Sequence, residues 1–170
     1  WLMLLMLTST VTGMIISSFE SALAAKVILT MFIPMLMDTG GNCGSQSSIT
    51  VIRALSLGEV GFADTLRVLF KEMRVALLCS ACLAAAEFVK IMTVDRLING
   101  SEITILVAAA VSLTLIVTVF IAKLIGAALP LAASRIGLDP AVVASPFITT
   151  LVDTISLIVY FMMASSLLGL

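Results

Sequence analysis

Apolar residues occur in five long runs along the chain, and short polar stretches separate them. The runs lie at about residues 1–18, 26–47, 75–91, 103–129 and 141–170. A run of about 20 apolar residues is long enough to cross the hydrocarbon core of a bilayer as an α-helix. The pattern therefore predicts an all-α membrane protein, built as a bundle of five transmembrane helices.

The polar stretches between the runs differ in charge. Residues 48–74 mix charged and apolar residues at helical spacing, which predicts an amphipathic connection at the membrane surface. Residues 48–74 and 130–140 together contain five Lys and Arg residues, whereas the other two connections contain three. Because cytoplasmic loops carry more positive charge, we expect residues 48–74 and the N-terminus inside and the C-terminus outside. The fourth helix is expected to stop at Pro130.

The composition is typical of a protein that is surrounded by lipid. Hydrophobic residues make up 61% of the chain and charged residues 11%, whereas soluble domains carry about 25% charged residues. A net charge of −1 and the lack of histidine argue against a nucleic-acid surface and against His-based catalysis or zinc binding. Cys43, Cys79 and Cys82 are expected to be packing residues. The chain begins in an apolar run at Trp1, so we expect it to be a piece of a longer protein.

Besides Lys26 at the start of the second run, five charged residues lie within the apolar runs, where each charge costs at least about 2.5 kcal/mol to insert. Glu87 and Lys90 can pair at i, i+3, and Lys123 can extend its charge toward the interface. Asp38 and Asp153 have no basic residue within a helical turn, and residue counting places both near mid-membrane. Their helices run in opposite directions, so the two carboxylates can meet at one depth. This indicates a cation path, and the alternative is a pair of protonated, hydrogen-bonded acids.

Residues with oxygen donors accompany the two aspartates. The glycines of the stretch 40–46 either serve helix packing or present backbone carbonyls to a pore. The candidates for lining such a pore are Gly40, Gly41, Asn42, Gly44, Ser45, Thr149 and Thr150. Carboxylate, carbonyl and hydroxyl oxygens without soft donors suit Mg²⁺, Ca²⁺ or Mn²⁺.

Two segments resemble the MgtE family of magnesium channels. The first is Pro34-Met-Leu-Met-Asp-Thr-Gly-Gly-Asn-Cys-Gly-Ser-Gln-Ser-Ser-Ile-Thr-Val-Ile-Arg-Ala-Leu-Ser-Leu-Gly-Glu59. The second is Asp139-Pro-Ala followed by Ser145-Pro-Phe-Ile-Thr-Thr-Leu-Val-Asp153. The resemblance implies a homodimer in a prokaryotic plasma membrane, with five helices per subunit and a pore on the dimer axis, lined by the second and fifth helices.

The same resemblance assigns roles to individual residues. It implies that Asp153 is the central Mg²⁺ site and that backbone carbonyls at Asp38, Gly41 and Thr149 face the hydrated ion. It also adds Ser145 to the candidate pore-lining positions. Members of the family carry cytoplasmic Mg²⁺-sensing domains before the first helix, and we expect these regulatory domains to be absent from this chain.

The resulting hypothesis is a channel domain that conducts hydrated Mg²⁺, and also Mn²⁺ or Co²⁺, into the cytoplasm. Asp153 and Asp38 are the predicted metal-binding residues, and no enzymatic activity is expected. The predicted partners are a second copy of the chain, the lipid bilayer and divalent cations. A carrier that exchanges Mg²⁺ for Na⁺ or H⁺ is the main alternative. A third reading is an assembly module in which the glycines serve packing only.

Overall fold

A computed structural model describes residues 2–169, apart from the side chains of Leu2, Leu4, Leu5, Ser101 and residues 143–146. Within this part of the chain there are seven α-helices and no β-strand, as the all-α prediction requires. The helices are α1 (Leu2–Ser18), α2 (Glu20–Ala25), α3 (Ile33–Ser56), α4 (Thr65–Lys90), α5 (Arg96–Asn99), α6 (Ile105–Arg135) and α7 (Pro140–Leu168). Short 3-10 helices lie at Val27–Phe32, Phe62–Asp64 and Gly100–Glu102, and a π-helix lies at Ile91–Asp95.

Three stretches of the described helices are long and apolar enough to cross a membrane. They are Phe62–Asn99, Ile105–Arg135 and Phe147–Leu168. α1 contributes a shorter apolar stretch, Met6–Ser18. The second predicted span falls on α3, which has 24 residues and is about 36 Å long but carries many polar side chains. The count of five spans therefore stays a prediction for α1 and α3.

α6 does not stop at Pro130. The helix continues to Arg135, so the prediction of a stop at the proline is wrong. A proline inside a helix removes one backbone hydrogen bond and crowds the preceding turn. The residues after it, Leu131 and Ala133, are buried against neighbouring helices, which favours a continued helix over a turn.

Residues 48–74 do not form a separate surface connection. They complete α3, which ends at Ser56, and begin α4, which starts at Thr65. Val51 is buried against Ala127 and Leu131 of α6, so the end of α3 belongs to the core of the bundle. The prediction of one amphipathic connection over residues 48–74 is therefore wrong, because only the short link between Ser56 and Thr65 lies outside these two helices.

α6 is the central helix of the bundle. It packs against α3, α4 and α7, and its Val107, Val111, Leu115 and Val119 are at most 2% exposed. The contacts of the glycines in α3 show its direction relative to α6. Gly40 approaches Thr118 and Gly44 approaches Ala122, so α3 and α6 run parallel.

Glycine allows α3 and α6 to touch through their backbones. A Cβ atom added at Gly126 of α6 would overlap the carbonyl group of Gly44. A Cβ at Gly44 would lie 2.8 Å from Ile148 Cγ2 of α7, and one at Gly40 would lie 2.8 Å from Thr118 Cγ2 of α6. Small residues of this kind let membrane helices approach closely. Gly40 and Gly44 thus lie at packing contacts.

Polar and aromatic contacts fix α7 to the segments of chain that precede α3. Tyr160 of α7 is buried, and its hydroxyl donates a hydrogen bond of 2.8 Å to the carbonyl of Leu29, just before α3. Phe161 stacks on Phe19 with ring centroids 4.7 Å apart. The hydrogen bond holds α7 to the segment just before α3, and the ring stacking holds α7 to the link between α1 and α2.

Lys123 forms an ion pair inside the bundle. Its Nζ lies 3.7 Å from Glu72 Oε2, and it donates a hydrogen bond of 3.4 Å to Ser47 Oγ. Ser47 in turn donates to the carboxylate of Glu72. The three residues are 8%, 6% and 1% exposed in the order Lys123, Glu72, Ser47. The expectation that Lys123 extends to the interface is therefore wrong, because its partner lies on α4 within the core. The predicted pair of Glu87 and Lys90 is confirmed, at 3.0 Å.

Removing Lys123 should destabilise the bundle strongly. In Lys123→Met the carboxylate of Glu72 stays buried without its cation, which typically costs about 3–5 kcal/mol. The double variant Glu72→Leu/Lys123→Met should recover most of this loss, because two apolar side chains need no partner. Thermal unfolding of the purified protein in detergent measures both changes. The control is Arg67→Met, because the side chains of Arg67 and its partner Asp64 are 87% and 36% exposed and such pairs contribute at most about 1 kcal/mol. Equal unfolding temperatures for Lys123→Met and Arg67→Met would contradict the prediction.

Candidate cation site between α3 and α7

One face of α3 is polar and open, while the opposite face is buried. Asp38, Asn42 and Arg53 are exposed on this face, and Ser45 between them is partly exposed. Their spacing of three, four or eight residues places them along one side of the helix. A polar row of this kind is costly against hydrocarbon, so it indicates contact with water or with another protein surface.

A cleft of about 160 Å³ lies between α3 and α7, and we call it the α3–α7 cleft. It is lined by Met37, Asp38, Gly41, Asn42, Thr149 and Asp153. Five of these six residues are candidates from the sequence. The structure therefore brings together both aspartates, one of the glycines, the asparagine and one of the threonines, while their role in ion binding stays a prediction.

The antiparallel packing of α3 and α7 accounts for this meeting of residues. Gly41 lies opposite Asp153, whereas Gly44, one turn later on α3, lies opposite Ile148. A Cβ added at Gly41 would be 3.7 Å from Asp153 Oδ1 and 3.7 Å from Thr149 Cγ2. The missing side chain of Gly41 thus leaves the backbone of α3 close to the carboxylate.

A second cavity, of about 210 Å³, lies on the other side of Asp153, and we call it the α1–α7 cavity. Its lining consists of Thr8, Ser9, Thr12, Met37, Thr149, Thr150 and Asp153. The hydroxyl oxygens of Thr8 and Thr150 are 3.3 Å apart. Sequence reasoning missed the residues of α1, although four hydroxyl residues within Thr8–Thr12 interrupt an otherwise apolar helix.

A third cavity, of about 380 Å³, lies further along the same two helices, between the C-terminal half of α3 and the start of α7. Ser45 lines this cavity, together with Arg53 and Ala141. The side chain of Ser145 is outside the described residues. The remaining candidates, Gly40 and Gly44, lie at the packing contacts described above.

Apart from the thioether of Met37, the side-chain acceptors that line the α3–α7 cleft are oxygens, and two of its side chains are carboxylates. Within residues 2–169 as described, there is no group of three or more His, Cys, Asp or Glu side chains that could hold a metal ion. Carboxylate, amide and hydroxyl oxygens are the donors that hard divalent cations prefer. The α3–α7 cleft of one chain thus contains the kinds of ligand that bind Mg²⁺ or Ca²⁺, but only two of them are negatively charged.

Comparison with known families extends this picture over most of the chain. The MgtE family, described as a divalent cation transporter, matches residues 33–163. This range begins with α3 and includes nearly all of α7. The chain belongs to the MgtE family. The match includes both aspartates of the α3–α7 cleft and the glycines at which α3 meets α6.

Individual members of the family are similar along nearly the whole chain. The magnesium transporter MgtE of Thermus thermophilus is 40% identical over 168 residues, which are 99% of this chain and 36% of that protein. The magnesium transporter MgtE of Bacillus subtilis is 35% identical over 166 residues, or 98% of this chain and 35% of that protein. The chain thus spans about a third of the length of the curated relatives that it matches.

The location of the protein follows from these matches and from the helices. Three described helices are long and apolar enough to cross a membrane, and the MgtE relatives come from bacteria. The chain is therefore a membrane protein of a prokaryotic cell membrane, as the sequence predicts.

Proposed function

We propose that this chain is the membrane part of a magnesium transporter and that Mg²⁺ passes through the α3–α7 cleft. The observation that carries the proposal is that Asp38 and Asp153, from antiparallel helices, line one cleft in an apolar bundle. Both carboxylates are costly at this depth unless they serve an ion or a partner. The names of the relatives, which are magnesium transporters, support the choice of ion.

The ion that we propose for the cleft keeps most of its water. Mg²⁺ gives up its waters reluctantly and is often held through one or two carboxylates. Asp153 and Asp38 match that number, and the amide of Asn42 and the hydroxyl of Thr149 add neutral oxygens. The carboxylates supply the attraction, and the neutral groups hold the water shell in position. Mn²⁺ and Co²⁺ could follow the same path with similar ligands.

Passive conduction is the mechanism that we propose. The α3–α7 cleft and the larger cavity beside Ser45 and Arg53 lie along the same two helices. The first of these cavities carries two carboxylates and the second carries Ser45 and Arg53, and their order along one side of α3 favours a continuous path driven by the membrane potential. A carrier that exchanges Mg²⁺ for Na⁺ or H⁺ remains the alternative, in which one of the aspartates would bind the second ion.

A homodimer would complete this path. The polar face of α3 is open in one chain, and lipid is a poor neighbour for Asp38 and Asn42. A second copy related by two-fold symmetry would cover the face with an identical surface and place four carboxylates around a shared axis. We therefore propose that the pore lies on the dimer axis, with α3 and α7 of both subunits around it.

Cross-linking should detect this dimer. In a variant without Cys43, Cys79 and Cys82, a single cysteine at Asn42 or Ser45 should form a disulfide between subunits on oxidation. The matched control is a cysteine at Leu78, which is 70% exposed on α4 and is expected to face lipid. Gel electrophoresis after oxidation measures the dimer. Efficient cross-linking at Leu78 with none at Asn42 or Ser45 would place the interface elsewhere.

Single-channel recording in a planar bilayer tests the mechanism. We expect a Mg²⁺ current that changes in discrete steps, and the size of these steps should depend on the applied voltage. Mg²⁺ flux that produces no such steps and that depends on a Na⁺ or H⁺ gradient would instead support the carrier.

A further inference from the structure

The hydroxyl groups of α1 form a polar patch within an apolar helix. Thr8, Ser9 and Thr12 line the α1–α7 cavity, and their spacing places them on one side of the helix. Across the cavity lie Thr149, Thr150 and the carboxylate of Asp153. The cavity therefore has a wall of hydroxyl groups on α1 and a charged wall on α7.

Asp153 borders two cavities at once. The α3–α7 cleft and the α1–α7 cavity share Met37, Thr149 and Asp153 as lining residues. The carboxylate can thus attract a cation from the side of α3 and from the side of α1. The cavity volume of about 210 Å³ is enough for several water molecules.

The hydrogen-bonding state of the hydroxyls suits the water shell of a cation. Water bound to a divalent cation directs its oxygen to the metal and its hydrogens outward, so the shell needs acceptors around it. Ser9 donates its proton to the carbonyl of Met6 at 2.7 Å, which leaves its oxygen lone pairs to accept. The hydroxyls of Thr8 and Thr150 are 3.3 Å apart and so bridge the two walls.

We propose that the α1–α7 cavity is a second subsite for the hydrated divalent cation. In it, the hydroxyls of Thr8, Ser9 and Thr12 accept hydrogen bonds from the waters of the ion, while Asp153 supplies the charge. The inference rests on the proposed function, because it uses the same carboxylate. α1 then helps to determine which hydrated ions are held, because the positions of its acceptors must match the water shell.

A purely structural role for these hydroxyls makes a different prediction. Ser and Thr in helices commonly donate to the backbone of the preceding turn, and removing such a bond affects helix stability. Loss of an acceptor for the water shell instead changes the Mg²⁺ concentration that half-saturates transport. One hydrogen bond corresponds to a change of about three- to tenfold in that concentration.

The test uses the full chain reconstituted in liposomes, with Mg²⁺ flux measured over a range of Mg²⁺ concentrations. Thr12→Val and Ser9→Ala keep the approximate side-chain size and remove the acceptor. We expect each to raise the half-saturating Mg²⁺ concentration about three- to tenfold. The unfolding temperature should stay unchanged in Thr12→Val, whereas Ser9→Ala also loses the bond to the Met6 carbonyl and should shift it slightly. Thr12→Ser should retain the parent behaviour. Thr10→Val is the matched control, because Thr10 is exposed on the same helix and is not among the residues that line the cavity.

Asp153→Asn, measured in the same assay, distinguishes a failure of the α1 subsite from a failure of the proposed function. If Thr12→Val and Ser9→Ala behave like Thr10→Val while Asp153→Asn abolishes flux, the α1 subsite is wrong and the proposed function stands. If Asp153→Asn transports like the parent, the proposed function fails, and the α1 subsite fails with it. A lower unfolding temperature with an unchanged half-saturating concentration would assign the hydroxyls to packing and overturn the subsite.

Discussion

Asp153→Asn is expected to abolish most Mg²⁺ flux, although asparagine keeps the size of the side chain. Asp153 borders both polar cavities, so every ion that follows either of them passes its carboxylate. The attraction between a carboxylate and a divalent cation grows as the surrounding dielectric falls, and a membrane interior offers little water to screen it. A hydrogen bond to a charged group contributes about 1.5–3 kcal/mol, or at least about tenfold in affinity. In a symmetric dimer the loss occurs twice.

Asp38 should matter less than Asp153. It lines only one of these two cavities and is exposed, whereas Asp153 is half-buried between them. Asp38→Ala should therefore weaken the apparent affinity for Mg²⁺ but leave measurable flux. Flux in liposomes and the unfolding temperature should be determined for Asp153→Asn, Asp153→Ala and Asp38→Ala. None of the three should unfold more easily than the parent, because each removes a charge that is costly to insert. Normal flux in Asp153→Asn with no flux in Asp38→Ala would reverse the ranking of the two residues.

Gly126→Ala should destabilise the bundle and shift α3 away from α6. The added Cβ would overlap the carbonyl group of Gly44, so the backbones of α3 and α6 would have to separate. Overpacking of a well-packed core typically costs about 1–3 kcal/mol, and a clash between a side chain and backbone lies at the upper end. Since α3 also carries Gly41 and Asp38, a shift of the helix would distort the α3–α7 cleft as well.

Size-exclusion chromatography and thermal unfolding of detergent-purified protein measure this effect. We expect a low yield of monodisperse protein for Gly126→Ala and a reduced unfolding temperature in what is recovered. Gly13→Ala is the matched control, because a Cβ added at that position meets nothing within 4 Å beyond its chain neighbours and the backbone of its own helix. If both variants behave alike, the close contact between Gly44 and Gly126 does not determine the packing of the two helices.

The approximate positions of the long helices could be predicted from the apolar runs. Their ends depend on tertiary contacts that a single run does not reveal. α6 passes Pro130 because Leu131 and Ala133 are buried beyond it. α3 begins at Ile33, with Pro34 in its first turn, where proline is favoured, whereas the predicted span begins at about residue 26.

The ion pair of Glu72 and Lys123 illustrates a second limit. The two residues are far apart in sequence, and nothing local shows that α4 and α6 place them together. Glu72 stands among other charged residues between positions 64 and 74, a pattern that is typical of a membrane surface. Its burial follows from the packing of α4 on α6, which only the assembled bundle determines.

Part of the candidate site could be predicted by counting along the helices. A rise of about 1.5 Å per residue places Asp38 and Asp153 at one depth, and the structure has both in the same cleft. The sequence does not show which of the glycines faces the cleft and which pack against other helices, because they lie close together in one short segment. Gly41 faces Asp153, whereas Gly40 and Gly44 contact neighbouring helices. The hydroxyls of α1 were missed because their position beside α7 depends on how α1 packs.

Crystals of the full chain grown with Mn²⁺ would test the central claim most directly. Mn²⁺ accepts the same oxygen ligands as Mg²⁺. Its anomalous scattering distinguishes the metal from a water molecule in the electron density. We predict an anomalous peak in the α3–α7 cleft next to Asp153, and its loss in Asp153→Asn. A peak remote from α3 and α7, with none beside Asp153, would contradict a cation path through this cleft.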